Sequence, residues 1–245
     1  MIPKIIHYCW FGGKEKPKDI VGYIETWKKY LPDYTLVEWN EKNFDINSNL
    51  YVKQAYENKK WAFVSDYVRI YALYHKGGVY MDTDVEVIKN LDIFLKHDGF
   101  TGFETINGPL TGTMGAVPGE KIMGDFLDEY KERRFITENG SPDMTTNVEI
   151  FRKICLRNGF TMNNQFQVID GFALYPNEYF CPFDFVSEKF VLTENTYTIH
   201  HFSGSWVSRS DRIKRNLIRP IKHLLGAKVC HHISDFRRKK RFEKQ

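Results

Sequence analysis

Two aspartates separated by one residue are the sharpest chemical signal in the sequence. Asp82 and Asp84 follow an apolar run that ends at Met81. In an extended chain such residues point to the same side, so their carboxylates would repel each other unless a cation lay beside them. Mg²⁺ and Mn²⁺ favour carboxylate and phosphate oxygens, and a diphosphate is the natural third partner because the metal neutralises its charge. The alternative is a solvated pair in a turn, which is common by chance.

A second charged pair precedes these aspartates. Asp66 and Arg69 are three residues apart and therefore share one face of a predicted helix. As a surface ion pair they would contribute little to stability. The helix is rich in aromatic and aliphatic residues, however, and leads directly into the paired acids. The alternative hypothesis is that Asp66 accepts hydrogen bonds from sugar hydroxyls while Arg69 contacts sugar or phosphate oxygens.

The elements that must position these residues alternate between strand and helix. Apolar runs predict strands at residues 5–11, 35–39, 79–88, 166–175 and 197–202. Helical spacing predicts helices at residues 19–31, 51–58, 61–76, 121–133 and 147–158. Residues 99–119 are rich in Gly, Pro and Thr, which predicts loops and short strands. The alternation indicates an α/β protein with a largely parallel sheet.

Composition narrows the class of protein. A chain of 245 residues with 42% hydrophobic and 27% charged residues is typical of one soluble globular domain. Its four cysteines form no CxxC pair, which argues against a zinc site and suits a reducing cytoplasm. The first residues lack the pattern of a secretory signal, so we expect a cytoplasmic protein. The motifs of P-loop enzymes, dinucleotide dehydrogenases, serine hydrolases and HExxH metalloproteases are absent from the sequence.

The charge is distributed unevenly along the chain. Residues 207–245 contain 13 Lys or Arg and 3 Asp or Glu, whereas the remainder is mildly acidic. Aliphatic residues recur at helical spacing in this tail, as in basic helices that bind anionic membrane surfaces. The alternative is a helix packed on the domain and followed by a solvated charge run. We expect a catalytic domain at 1–206, a basic tail at 207–245 and no nucleic-acid partner.

Three segments of the sequence resemble glycosyltransferase family 32, the DxD sugar-binding-region family. They are residues 5–13 (IIHYCWFGG), residues 65–84 (SDYVRIYALYHKGGVYMDTD) and residues 200–206 (HHFSGSW), which together bracket most of the chain. The family includes bacterial capsular polysaccharide glycosyltransferases and the yeast initiating α-1,6-mannosyltransferase. It is more distantly similar to the glucosyltransferase domains of large clostridial toxins.

The resemblance implies a role for residues on the donor side. Trp10 matches the aromatic residue that stacks on the nucleotide base, although a Trp at this place also suits a hydrophobic core. Asp66 and Arg69 match donor-sugar contacts, and Asp82 matches the first acid, which faces ribose and sugar. Asp84 matches the direct metal ligand.

The resemblance also implies a role for the third segment. His201 occupies the place of a metal ligand, with His200 as the alternative, and imidazole is a competent Mn²⁺ ligand. Trp206 matches an aromatic residue on a lid that closes over the diphosphate. Ser205 would contact the phosphates.

The implied fold is of the GT-A type, with a single Rossmann-like mixed sheet flanked by helices. The implied reaction uses Mn²⁺ or Mg²⁺ and a nucleotide-sugar donor, UDP-hexose being favoured over GDP-mannose, and it retains the anomeric configuration. We expect a glycan or lipid-linked oligosaccharide acceptor in bacterial surface polysaccharide synthesis, at the inner face of the cell membrane. The alternatives are a protein-modifying glycosyltransferase and an inactive carbohydrate-binding or membrane-adaptor protein.

The sequence identifies no carboxylate nucleophile. Glu104 and Asp170 are candidates by chemistry alone, and a same-face displacement would need neither of them. Asn147 could hydrogen-bond a substrate or could cap the helix that begins there.

Overall fold

The computed structural model describes residues 1–185 and 187–203, so the basic tail and the predicted site residues Ser205 and Trp206 lie outside the described residues. The chain divides into two compact units. The first comprises Met1–Phe183 and Val191–Ser203, and all of the chemistry considered below lies in it. Of the second, the structure describes residues 184, 185 and 187–190.

A mixed sheet of seven strands forms the centre of the first unit, in the order β2-β1-β3-β6-β5-β8-β7. β1 pairs in parallel with β2 and β3, whereas β6 is antiparallel to both of its neighbours. A separate antiparallel pair joins β4 to β11. The strands are β1 (Ile5–Cys9), β2 (Thr35–Trp39), β3 (Gly78–Met81), β4 (Val85–Val87), β5 (Gly99–Thr105), β6 (Gly108–Ala116), β7 (Gln167–Ile169), β8 (Phe172–Tyr175), β9 (Phe183–Asp184), β10 (Lys189–Phe190) and β11 (Thr198–His200).

Six α-helices occur in the described part of the chain. Four of them follow the predicted bounds closely, whereas α4 ends five residues before its predicted end and α6 was not predicted. They are α1 (Lys18–Tyr30), α2 (Leu50–Glu57), α3 (Trp61–Lys76), α4 (Lys121–Asp128), α5 (Asn147–Arg157) and α6 (Asn177–Phe180), with 3₁₀ turns at Ile46–Ser48 and Asp92–Phe94. α3 ends at Gly77, whose φ of 63° is in the left-handed region that favours glycine. No helix among residues 1–185 and 187–203 is both long and apolar enough to cross a membrane.

The sheet has a hydrophobic core on each face. Alternate residues of β3 belong to different cores, Tyr80 to the one that contains α2, α3 and α5, and Val79 and Met81 to the one that contains α1. This follows from the period of two along a strand, which sends successive side chains to opposite faces. The predicted α/β architecture, with one mixed sheet flanked by helices, is therefore confirmed.

The expectation of loops and short strands at 99–119 was wrong. Most of this stretch forms β5 and β6, two long strands in the middle of the sheet. Three of its glycines, Gly99, Gly102 and Gly115, lie under large aromatic rings. A Cβ on Gly99 would meet the Phe172 ring at 2.4 Å, and one on Gly115 would meet the Phe100 ring at 2.2 Å.

One edge of the sheet collects the ends of several strands. β1 and β3 run in parallel, so Trp10, just after β1, and Asp82, just after β3, lie at the same edge. β5 and β3 are both antiparallel to β6, so the end of β5 also lies there. Carboxyl ends of strands that meet at one edge of an open α/β sheet are where such folds bind ligands.

Candidate active site

The two aspartates occupy a turn rather than a continuous strand. The predicted strand at 79–88 is interrupted after Met81, and the backbone N–H of Val85 donates to the carbonyl of Asp82 at 3.0 Å. A further bond from the Asp82 N–H to the Gly112 carbonyl, at 2.8 Å, fixes the start of the turn against β6. The turn nevertheless directs both carboxylates towards the same imidazole.

That imidazole belongs to His200, at the end of β11. Its Nε2 lies 3.2 Å from Asp84 Oδ1 and 4.0 Å from Asp82 Oδ2. One ligand atom from each of the three residues lies within 4.8 Å of the others. A metal with ligands about 2.1 Å away joins atoms up to about 4 Å apart, so small side-chain movements would complete the set. Two carboxylates and an imidazole fit Mn²⁺, and the geometry accommodates the group predicted from the sequence.

The histidine in this group is His200, whereas the sequence hypothesis placed the ligand at His201. Successive side chains of a strand point in opposite directions, so only one of two adjacent histidines can face the aspartates. The His201 ring instead lies 2.8 Å from Glu86 Oε2 and stacks on Tyr23, with ring centroids 4.4 Å apart. Its backbone still supports the site, since the His201 N–H donates to the carbonyl of Asp84 at 3.0 Å.

The pKa values of the Asp84–His200 pair show how strongly the two groups interact. Burial lowers the pKa of His200, but its hydrogen bonds to Asp84 and Cys181 and the charges of Asp84 and Asp82 together outweigh burial and raise that pKa well above its ordinary value. Burial raises the pKa of Asp84, but the hydrogen bond to His200, the His200 charge and backbone N–H groups together hold it below the usual range. Asp84 also accepts a bond from the Ser203 N–H at 2.8 Å. A divalent cation would replace the His200 proton as the positive partner of Asp84.

Arg69 holds Asp66 and Asp82 together. Its Nη2 lies 2.9 Å from Asp66 Oδ1 and 3.2 Å from Asp82 Oδ1, and its Nη1 donates to the Thr111 carbonyl at 2.8 Å. The guanidinium also packs over the Tyr80 ring, 4.7 Å from its centroid, while the Tyr80 hydroxyl donates to Asp82 Oδ1 at 2.9 Å. Arg69 is only 5% exposed, so in this arrangement it orients carboxylates more than it faces a ligand.

The carboxyl of Asp66 has a raised pKa. Burial raises the pKa of its carboxyl to about 6, with the Arg69 charge acting against the shift and the Asp82 charge adding to it. A buried acid whose pKa is shifted in this way beside other charged groups is typical of functional sites.

Gly112 is a site residue that the sequence analysis missed. A Cβ at this position of β6 would lie 2.9 Å from Asp82 Oδ2 and 3.1 Å from His200 Cε1. Any side chain would therefore enter the space between two of the three candidate ligands. The available signal was the run of small residues in Thr111–Met114, next to the strand that leads to the aspartates, but its composition favoured a loop.

Trp10 lies at the same edge of the sheet, just after β1. Its indole N–H donates to the Lys14 carbonyl at 2.6 Å, and Lys16 Nζ lies 5.5 Å from the ring centroid. Lys16 is held there by Glu38 at 2.6 Å, and Tyr8 donates to the same carboxylate. The Trp10 ring is only partly buried, which leaves it able to meet a flat ligand.

Two other residues considered from the sequence lie apart from this cluster. Asn147 is buried and structural, because its amide donates to the Asp66 carbonyl and accepts from the Tyr130 hydroxyl. The helix cap is Thr146, whose hydroxyl accepts from the Glu149 N–H. Asp170 is exposed and pairs with Lys121 at 3.6 Å.

Comparison with known proteins identifies the type of site. Residues 17–101 match the family model described as the glycosyltransferase sugar-binding region containing the DXD motif. The chain is a glycosyltransferase. The match includes Asp66, Arg69 and both aspartates of the DXD motif, and it confirms the resemblance to family 32. The mixed sheet flanked by helices agrees with the GT-A type of fold that the resemblance implies.

This glycosyltransferase is similar to proteins of a virus and of yeast. It is 27% identical over 199 residues to an uncharacterized glycosyltransferase of Acanthamoeba polyphaga mimivirus, covering 75% of this chain and 78% of the viral protein. It is 30% identical over 157 residues to a mannosyl phosphorylinositol ceramide synthase of Saccharomyces cerevisiae, covering 56% of this chain but only 38% of the yeast enzyme. Among solved structures, the PaToxG glycosyltransferase is similar, with 18% identity, a TM-score of 0.49 and coverage of 64% of this chain and 69% of that one.

Proposed function

We propose that this glycosyltransferase moves a hexose from a nucleotide-diphosphate donor to a glycan or lipid-linked acceptor, with retention of the anomeric configuration. The observation that carries the proposal is the convergence of Asp82, Asp84 and His200 at the sheet edge that also bears Trp10. Asp84 and His200 would hold a divalent ion together with Asp82, and Trp10 would stack on the base. The bound ion would neutralise the charge that develops on the diphosphate.

The residues around the ion have separate tasks in this proposal. Arg69 fixes Asp82 and Asp66, so both carboxylates are in place before the donor binds. Asp66 accepts hydrogen bonds from donor-sugar hydroxyls. The partly buried setting of the cluster strengthens each of these interactions, because little water competes for them.

UDP-hexose is the donor we propose, and GDP-mannose is the second candidate. The second candidate is favoured by the names of the yeast relatives, which describe mannosyl transfer to inositol phosphoceramide. An acceptor on a lipid would suit the basic tail at 207–245, which we propose binds an anionic membrane surface on the cytoplasmic side. A role in bacterial surface polysaccharide synthesis belongs to the same proposal.

A thermal-shift panel tests the donor and the metal together. The purified chain is melted with UDP-glucose, UDP-galactose or GDP-mannose, each with and without Mn²⁺. Because a ligand that binds only the folded state raises the melting temperature, one donor should raise it in a manner that requires metal. Asp84→Ala should abolish that shift, whereas the exposed Asp128→Ala should retain it. A donor shift that needs no metal, or that survives in Asp84→Ala, would contradict the proposed site.

A further inference from the structure

A second irregularity of the sheet lies at the end of β5, beside the metal group. Between Phe103 and Thr105, β5 advances by two residues while its partner β6 advances only from Pro109 to Gly108. Glu104 is thus the extra residue of a β-bulge and has no residue opposite it. Bulges re-aim side chains and occur often next to active sites.

At the register shift on the other side of Phe103, the extra residues lie on β6 instead of β5. There β5 advances from Thr101 to Phe103 while β6 advances from Met114 to Pro109, which leaves a segment of β6 out of register. That segment contains Gly112, which borders Asp82 and His200, and Thr111, whose carbonyl accepts from Arg69. The two irregularities therefore shape one place, with Glu104 on one side and the metal group on the other.

The electrostatics agree with this placement. The charges of His200, Asp82 and Arg69 all act on the carboxyl of Glu104, and burial raises its pKa above the ordinary value. Glu104 in turn acts on the thiol of Cys181, which lies next to His200. Its carboxyl thus belongs to the same charged cluster as the candidate metal ligands.

Glu104 also lacks a partner within the described ranges. Neither a hydrogen bond nor an ion pair reaches its carboxyl from residues 1–185 or 187–203, although the residue is half-buried. Removing a carboxylate from water without a compensating hydrogen bond costs free energy, so an arrangement of this kind calls for an explanation. The acidic groups on the donor side are different, since Asp66, Asp82 and Asp84 all have protein partners.

We propose that Glu104 is a catalytic residue that binds the attacking hydroxyl, whether that hydroxyl belongs to an acceptor sugar or to water. The inference rests on the proposed function of the site. Across the sheet, the order β1, β3, β6, β5 carries Trp10, the aspartates, Gly112 and Glu104 in turn. The nucleotide base would lie at Trp10, at the β1 end of this row of strands, and the diphosphate would lie at β3. Glu104, on β5, is therefore at the end where the donor sugar and its acceptor would meet.

The chemical step balances with this assignment. The hydroxyl oxygen forms a bond to the anomeric carbon on the face from which the diphosphate departs, and the bond from that carbon to the diphosphate breaks, leaving its electron pair on the diphosphate. The hydroxyl proton passes to the carboxylate of Glu104. A carboxylate whose pKa lies above the ordinary value accepts that proton more readily than an ordinary one.

Donor hydrolysis tests the proposal without knowledge of the acceptor, because water is then the attacking hydroxyl. Metal-dependent hydrolysis of the donor selected by the thermal-shift panel is measured for the wild type, Glu104→Gln and Glu104→Met. We expect turnover to fall about 100-fold or more in the Met variant and by an intermediate factor in the Gln variant, which keeps one oxygen acceptor. The donor KM and the metal-dependent thermal shift should not change. The exposed Glu129→Gln serves as the control and should behave as the wild type.

Stability separates a catalytic role from a structural one. Both Glu104 variants remove an unpartnered carboxylate, so their melting temperatures should equal or exceed that of the wild type while turnover falls. Unchanged turnover, or a parallel loss of donor binding, would overturn the role in binding the attacking hydroxyl. A wild-type chain that binds and hydrolyses none of the nucleotide sugars would instead count against the proposed function, so the two failures are distinguishable.

Discussion

At the scale of single residues, the site depends on which of two adjacent histidines faces the aspartates. The sequence contains two chemically equivalent candidates, and composition offers no means to choose between them. The choice follows from the register of β11 on β4, in which His200 lies opposite Val85, the residue after Asp84. Long-range pairing of this kind cannot be read from a single sequence, whereas the aspartates themselves could be, since their spacing is local.

Asp66 provides a prediction about stability at this scale. Its pKa is about 6 in the folded protein against 3.8 for the free group, so its ionised form opposes folding. The stability that this group contributes is fully present below pH 3.8 and is lost as the pH rises through about 6. Asp66→Asn should therefore be more stable than the wild type at pH 8, by roughly 1–3 kcal/mol, and this advantage should shrink towards pH 4. Urea unfolding at the two pH values measures it, and a less stable variant at pH 8 would contradict the burial argument.

At the scale of secondary-structure elements, most of the helices were predictable, whereas the pairing of β5 with β6 was not. α3 carries apolar residues at helical spacing and a glycine stop, and its predicted and observed bounds agree. β5 and β6 have the composition of a loop because they are rich in glycine, and three of these glycines make room for aromatic rings while Gly112 makes room for Asp82 and His200. The register shifts at Glu104 and Gly112 depend on pairing between strands, so a local pattern contains no signal for them.

The close approach of β6 to the metal group gives a prediction for Gly112. Gly112→Ala places a methyl group against Asp82 and His200, so we expect at least a tenfold loss of metal-dependent donor hydrolysis with the fold retained. Gly22→Ala is the matched control, because its Cβ would meet nothing within 4 Å on α1. That substitution should leave activity unchanged and stabilise the chain by about 0.5–1 kcal/mol. Circular dichroism with the hydrolysis assay compares the two, and full activity in Gly112→Ala would show that the site tolerates the methyl group.

At the scale of the whole molecule, the charge asymmetry yields a prediction that the described residues do not address. The run Arg237-Arg238-Lys239-Lys240-Arg241 belongs to the basic tail. Each basic residue near an anionic membrane contributes about 1 kcal/mol of attraction. Replacing all five by Ser should therefore weaken binding to phosphatidylglycerol vesicles more than tenfold, while donor hydrolysis in solution stays unchanged.

Sedimentation with vesicles at low and high salt measures this effect, and salt should weaken the wild type in the same direction. Vesicles of neutral phosphatidylcholine are the control. Equal binding of the wild type and the Ser variant would rule out the tail as a membrane contact and favour the alternative of a helix packed on the domain.

The central claim is that Asp82, Asp84 and His200 hold one divalent ion, and Mn²⁺ binding tests it most directly. Electron paramagnetic resonance measures free Mn²⁺ in titrations of the wild type, His200→Ala and His201→Ala, with the nucleoside diphosphate of the selected donor present. Removing a residue that only hydrogen-bonds to a metal ligand costs about 10–100-fold in metal affinity, so removing a ligand itself should cost at least as much. We therefore predict at least about a tenfold weaker affinity for His200→Ala, and a near wild-type value for His201→Ala. The reverse order of the two variants, or equal affinities in all three proteins, would contradict the account.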